Sequence, residues 1–260
     1  MGHTSRIIAV VNQKGGVGKT TTTINLAAAL TLKGKKVLLI DMDPQGNAAT
    51  GLGIPRASRD ITIYDVLVDG VALSGAILET SVPGLKLIPS HVDLAGAELE
   101  IGNRAGRTTI LRDAIDEDTS HYDYVLIDCP PSLNLLTVNA LSASRSVLVP
   151  LQCEFFALEG LSQLLQTIEM AKARINPDLV IDGVMLTMYD PSNRLSAQVA
   201  ADVRKHLGRA VFQTIIPRNV RIAEAPSFGK PVLMYDPHCA GSKAYKALAT
   251  EMLSRHSKSK

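Results

Sequence analysis

The sequence predicts an α/β protein: a single doubly wound, mostly parallel β-sheet with helices on both faces. Three observations point there. Short β-branched apolar runs alternate with helical stretches, and continuous runs of this kind are how strands buried on both faces read. A glycine-rich loop joins the first run to the first helix. The composition, 46% hydrophobic with only 4% aromatic residues and no tryptophan, suits a Val/Ile/Leu/Ala sheet core. A chain of 260 residues is long for one domain but within range for one α/β layer structure. No repeat and no long linker divides it, so residues 1–260 are expected to form one domain.

Each element has its own warrant. Ile7-Ile8-Ala9-Val10-Val11 is a strand, and Thr20 to Leu32 a helix with Ile24, Leu26, Ala27 and Leu30 on its apolar side and Gly34 as its stop. Val37 to Asp41 is the second strand, and Pro44 and Gly46 mark the segment after it as loop. Residues 51–80 are punctuated by Gly and Pro, with one helical stretch near Tyr64 to Leu67. Leu85 to Pro89 is a short strand, followed by helices over Asp93 to Ile101 and Arg107 to Asp116. Tyr124 to Asp128 is a strand that Pro130 and Pro131 end, before a helix from Ser132 to Leu141. Val147 to Pro150 is a strand and Leu158 to Arg174 a helix closed by Asn176-Pro177. Val180 to Met188 is the next strand, and Leu195, Val199, Val203 and Leu207 form the apolar stripe of the next helix. Val211 to Ile216 is a strand ending in Pro217-Arg218-Asn219, Val220 to Ala225 a short helix. The terminal helix starts near Ser242 as its N-cap.

The loop between first strand and first helix is Lys14-Gly15-Gly16-Val17-Gly18-Lys19-Thr20-Thr21. Strand, glycine loop and helix together aim backbone N–H groups and a helix N-terminus at one place, which favours a phosphate. Gly15, Gly16 and Gly18 let the backbone curl without Cβ atoms in the way. Lys19 supplies a point charge to β and γ oxygens, and Thr20 offers a hydroxyl to Mg2+. The first glycine of the G-x-x-x-x-G-K-[ST] pattern falls on Gln13, and an extra cation, Lys14, stands beside the glycine pair. Tyr124 to Asp128, four apolar residues ending in a carboxylate, is the strand-tip pattern that holds Mg2+ through water.

Lys14-Gly-Gly-Val-Gly-Lys-Thr-Thr resembles the deviant Walker A loop of the ParA/MinD superfamily of dimerising ATPases. Asn12-Gln13 and Asp41-Met-Asp43-Pro-Gln-Gly are similar to its ParA branch, the chromosome- and plasmid-partitioning ATPases, and the resemblance runs from Arg6 to about Leu253. It implies a P-loop NTPase fold with ATP and Mg2+ as cofactors. Asp43, just past a strand tip in a glycine-flanked loop, is the candidate to orient water and matches the family's catalytic aspartate. Asp41, inside the strand end, is read as an anchor for that loop or for a lysine. Thr20, Asp43 and Asp128 form the candidate Mg2+ set. Lys14, crowded against its own phosphate lysine, would by resemblance reach the nucleotide of a second subunit, so that ATP is sandwiched in a two-fold homodimer. By resemblance too, Pro217 and Asn219 would flank the adenine.

The net charge of +2 hides an asymmetry: residues 191–260 carry twelve Lys/Arg against four Asp/Glu, or +8, leaving −6 on the rest. Such a basic flank, within about 191–250, is an electrostatic footprint. Arg194 and Lys205 are 11 residues apart and project alike, opposite the apolar stripe. Arg218, Arg221, Lys230, Lys243 and Lys246 follow. No aromatic platform for single strands is interleaved and no helix-turn-helix precedes the first strand, so phosphate contacts to double-stranded DNA without sequence reading are expected. The family's nonspecific DNA binding as an ATP dimer, and its ParB-type centromere-binding partner, are what the resemblance adds.

Other classes have less support. A MinD-like membrane ATPase needs a C-terminal amphipathic anchor, and the tail from Met252 to Lys260 offers few bulky apolar residues. An iron–sulfur reductase needs paired cysteines, whereas the three here, at 129, 153 and 239, form no CxxC or metal spacing. A metabolic P-loop kinase or synthetase is disfavoured by Lys14. Neither a signal peptide nor a membrane span is visible, and Arg6 excludes a myristoylation start at Met1-Gly2, so a cytoplasmic, nucleoid-associated protein with no membrane partner is expected.

Overall fold

The computed structural model describes residues 5–155 and 157–258, the side chains of 116–118 excepted; the Met1-Gly2 start and the end of the tail lie outside them. The strands are β1 (Arg6–Val10), β2 (Val37–Asp41), β3 (Leu78–Glu79), β4 (Leu85–Ile88), β5 (Tyr124–Asp128), β6 (Ser146–Gln152), β7 (Val180–Tyr189) and β8 (Val211–Pro217). They form one sheet in the order β3-β4-β2-β5-β1-β6-β7-β8. Every pairing is parallel except that of the two-residue β3, which runs antiparallel to β4. Parallel neighbours need crossovers, and helices supply most of them: α1 (Lys19–Thr31), α2 (Asn47–Gly51), α3 (Leu94–Ile101), α4 (Ile110–Asp118), α5 (Leu135–Ala143), α6 (Ala157–Arg174), α7 (Arg194–Leu207), α8 (Val220–Glu224), α9 (Val232–Tyr235) and α10 (Ala240–Lys258).

The period-two alternation of side chains divides each central strand between two cores. Ile8 and Val10, Val37 and Leu39, and Tyr124 and Leu126 face α1, α2, α9 and α10. Ala9, Leu38, Ile40, Val125 and Ile127 face α3 to α7. The sheet is therefore covered on both sides, which is why its strands are apolar throughout. On α10 the side chains of Tyr245, Leu248, Ala249 and Met252 are at most 1% exposed. Burying a residue of leucine size contributes about 1.5–3 kcal/mol, so packing outweighs the ~1 kcal/mol that a cap at its start supplies.

Local details depart from the sequence expectations at element ends. α10 begins at Ala240, so Ser242 is not its cap: the residue is buried and its hydroxyl donates to the carbonyls of Val232 (3.0 Å) and Asp236 (2.6 Å). α5 begins at Leu135 instead of Ser132 because Asn134 caps it, accepting from Thr137 N at 3.1 Å. Leu195 is 36% exposed, and the buried side of α7 is made by Ser196, Val199, Ala200 and Val203. Asn47, at the end of the expected loop, starts the single turn α2 over Asn47–Gly51, and the helical stretch near Tyr64 is a π-helical turn over Asp65–Asp69. Among the described residues no helix is long and apolar enough to cross a membrane.

Candidate functional site

Three strand tips meet at one end of the sheet. Val10 of β1 lies beside Asp128 of β5, and Asp128 beside Asp41 of β2. From Val10 the chain enters the glycine loop and turns into α1 at Gly18, whose φ of 90° is left-handed, as is the 76° of Gly16. A Cβ added to Gly15 or Gly16 would meet nothing within 4 Å, so no protein neighbour accounts for these glycines. Their concave side is open to a ligand. The loop is stitched down from behind. Asn12 donates to Pro150 O (2.8 Å) and accepts from Lys14 N (3.0 Å), while the Thr187 hydroxyl donates to Val17 O (2.9 Å).

The charges inside this loop are out of balance without a ligand. Lys19 is only 7% exposed, and its ammonium donates to Lys14 O at 3.1 Å. Burial pulls its pKa down, against the pull of the nearby Asp128 and Asp43. Asp128 is fully buried; burial pushes its carboxyl up to about 7, with the hydroxyls of Thr20 and Thr23 opposing. One of its oxygens accepts from Thr23 at 3.1 Å, and Oδ2 has no partner among the described residues. Asp41 is fully buried as well and held well above the carboxylate range, first by burial and then by Asp128. Its two oxygens accept from the amides of Asp43 and Ala48, each at 3.1 Å, which makes it the anchor of the loop after β2. Asp43 accepts from Gln45 N at 3.0 Å. A buried lysine and open glycine amides ask for an anion; an orphaned carboxylate oxygen among three aspartates asks for a cation. A phosphate bound with Mg2+ answers both.

The remaining sequence candidates are spread around this centre. Lys14 is exposed and paired with Glu154, on the loop after β6. Thr20 and Thr21 lie half-buried in the first turn of α1 and line a cavity of about 270 Å3 with Asn25, Asn47 and Pro226. Lys230 is exposed and also lines this cavity. Pro217 ends β8 next to Tyr189 of β7, and Arg218 N donates to Tyr189 O at 2.9 Å. The buried Oδ1 of Asn219 has no partner among the described residues. Met188, beside these tips, is the one described non-glycine residue with positive φ (50°), and its Cε lies 3.8 Å from where a Gly18 Cβ would stand. Sequence reading passed over it, since a methionine at a strand end reads as core. Thr23 and Thr187 were passed over too, because nothing in a threonine's position signals which backbone it will brace.

The basic flank divides in two. Arg194, at the first position of α7, and Lys205, Arg218 and Lys243 are exposed. Arg221 pairs with Glu224 (2.9 Å) and Asp236 (3.6 Å), and half-buried Lys246 donates to Pro237 O at 3.3 Å.

Fold and site together define a P-loop nucleotide-binding protein of the deviant type, with a second lysine in the loop. The profile of the AAA domain family matches residues 5–181. The chain is 59% identical over 252 residues to the chromosome partitioning protein ParA of Caulobacter vibrioides, covering 96% of this chain and 94% of that protein. It is 51% identical over 247 residues to the sporulation initiation inhibitor protein Soj of Bacillus subtilis, covering 95% and 98%. Among solved structures it matches a Mycobacterium smegmatis protein described as cobyrinic acid a,c-diamide synthase with bound ATP analogue and magnesium. That match has a TM-score of 0.85 at 39% identity, over 98% of this chain and 97% of the other. The chain belongs to the ParA/Soj family of partitioning ATPases.

Proposed function

We propose that this chain is a MgATP-dependent, dimerising ATPase that coats nucleoid DNA without sequence preference and segregates a chromosome or plasmid locus. A ParB-type protein bound at a centromere-like site would stimulate hydrolysis and so release the coat. The observation that carries this reading is the pairing of an open glycine cradle and buried Lys19 with the orphaned Oδ2 of Asp128. In this reading the amides of residues 15 to 21 and Lys19 would hold the phosphates, Thr20, Asp43 and Asp128 would hold Mg2+, and Asp43 would also orient the attacking water. Bound Mg2+ would draw charge off the phosphate oxygens. Pro217 and Asn219 receive the base. Lys14 trades the carboxylate of Glu154 for the phosphates of a second subunit, which makes the dimer conditional on ATP.

The test is DNA binding and solution mass measured without nucleotide, with ADP and with a slowly hydrolysed ATP analogue. Wild type should dimerise and bind DNA in the last state only. Asp43→Ala should bind ATP, accumulate as dimer and stop hydrolysing; Lys14→Ala should bind ATP and stay monomeric; Lys19→Ala should lose nucleotide. Equal DNA binding in all three nucleotide states would sink the switch, and equal masses for Asp43→Ala and Lys14→Ala with ATP would sink the sandwich. An amidating synthase, the activity named for the M. smegmatis protein, predicts no coupling of nucleotide to DNA at all.

A further inference from the structure

Arg59 lies outside every motif above, yet it is buried, with 7% of its surface exposed, directly behind the loop that holds Asp43. Its guanidinium donates to Gly46 O (3.2 Å), to the Thr50 hydroxyl (3.0 Å) and to Ile54 O (2.8 Å). Gly46 is where the loop turns into α2, at a left-handed φ of 62°. A Cβ there would lie 2.8 Å from Nη1 of Arg59 and 2.9 Å from Ser90 O, so the close approach of the guanidinium requires glycine. The Thr50 hydroxyl in turn donates to Gly46 O at 3.1 Å, closing a ring around the end of the loop.

We infer that Arg59 is a positioning residue for Asp43, gripping from behind the loop that Asp41 grips from in front. The inference rests on the reading in which Asp43 orients the attacking water. A carboxylate can only accept and a guanidinium only donate. The loop's amides, at Asp43 and Ala48, accordingly go to Asp41, and its carbonyl at Gly46 goes to Arg59. With both ends held, the Asp43 carboxylate is restrained by Gln45 N and by a backbone that cannot drift. A purely space-filling role fits poorly. Nε of Arg59 is buried with no partner among the described residues, and the guanidinium makes none of the described ion pairs; burial lowers its pKa, opposed only by the pull of Asp41 beyond ion-pair distance. Burying a cation on those terms is unfavourable, and an apolar side chain of similar size would avoid it. What the apolar side chain lacks is the fork of donors.

Steady-state ATPase kinetics of Arg59→Lys, Arg59→Met, Arg59→Ala and Thr50→Val, with Asp43→Ala alongside, test this. A loop displaced by an ångström or less should lower kcat about 10- to 100-fold. KM for ATP should stay within about twofold, because the phosphate cradle is built from another loop. Millimolar guanidinium should restore part of kcat to Arg59→Ala but none to Asp43→Ala. Unchanged kcat in Arg59→Lys and Arg59→Met beside an inactive Asp43→Ala would overturn the inference alone. So would a parallel loss of kcat, ATP affinity and melting temperature in the conservative Arg59→Lys, which would mean a structural role only. Full activity of Asp43→Ala would overturn the underlying reading, and the role of Arg59 with it.

Discussion

Under the proposed function, Asp128 shows what a phosphate–metal site costs the protein that holds it. An aspartate titrates near 3.9 in an unfolded chain, and burial raises this one to about 7. A group whose folded pKa is raised contributes stability below its unfolded pKa and loses it as pH climbs through the folded one. The ligand-free protein should therefore melt at a lower temperature at pH 8 than at pH 5. Asp41, also raised, adds to the same slope. Asp128→Asn should flatten part of the slope, and MgATP should raise the melting temperature of wild type most at the alkaline end. Thermal melts from pH 5 to 8 check this; an identical slope in Asp128→Asn would show that the carboxyl is not destabilised by burial. The positions of Lys19, Asp43 and Asp128 were legible in the sequence because a glycine loop and strand-terminal carboxylates are local patterns. Arg59 and Met188 were not legible. One comes from a Gly/Pro-punctuated stretch and the other from a strand end, and only the tertiary fold brings them to the loop.

Among the elements, β8 is the one whose outer edge needed a solution. An edge strand offers unpaired N–H and C=O groups to any other strand. Here α10 and α7 cover them with side chains. Glu251 accepts from the amides of Gln213 (2.8 Å) and Thr214 (2.9 Å), Arg255 donates to Val211 O (2.8 Å), and Arg204 donates to Gln213 O (3.0 Å). Burial alone would raise the Glu251 pKa, but these amides, the Thr214 hydroxyl and Arg255 outweigh it and hold it low. Glu251→Ala leaves two strand amides without an acceptor, a loss of about 1–3 kcal/mol. The melting temperature should fall by several degrees, and light scattering should show concentration-dependent self-association absent from wild type. Unchanged melting and scattering would mean that water replaces the carboxylate at no cost. The strand itself was legible in the sequence from Val211 to Ile216. Its plug was not, because Glu251, Arg255 and Arg204 look like ordinary solvated positions of amphipathic helices until the sheet edge is placed beside them. The two-residue β3 escaped for the opposite reason: it is too short to show any period.

For the whole molecule, the decisive property is where the charge sits: −6 over the first 190 residues and +8 over the last 70. Under the proposed function the basic end meets DNA phosphates, and each neutralised phosphate contributes roughly 0.9 to the slope of log affinity against log salt. The geometry sorts six of the seven candidate contacts. Arg194, Lys205, Arg218 and Lys243 are exposed, whereas Arg221 is engaged by Glu224 and Asp236 and Lys246 by Pro237. Binding through Arg221 or Lys246 would have to break an existing contact, so these two should contribute less. A few contacts per subunit give a monomer little affinity. Two linked copies of the patch add the avidity of a bivalent ligand, so nucleotide can control DNA binding through dimerisation without moving a basic residue far. The ATP-state protein should then show a salt slope steeper than about −4 and little preference among duplex sequences. Arg194→Glu should abolish DNA binding while leaving ATP-driven dimerisation intact, since its side chain is exposed at the start of α7 and takes no part in the core. Arg221→Ala should weaken binding by a smaller factor. Titrations of each variant across roughly 50 to 300 mM salt, with solution mass measured in parallel, decide the matter. A slope near −1, a sequence-selective footprint, or Arg194→Glu bound as tightly as wild type would each mean that the basic end serves something other than the DNA backbone.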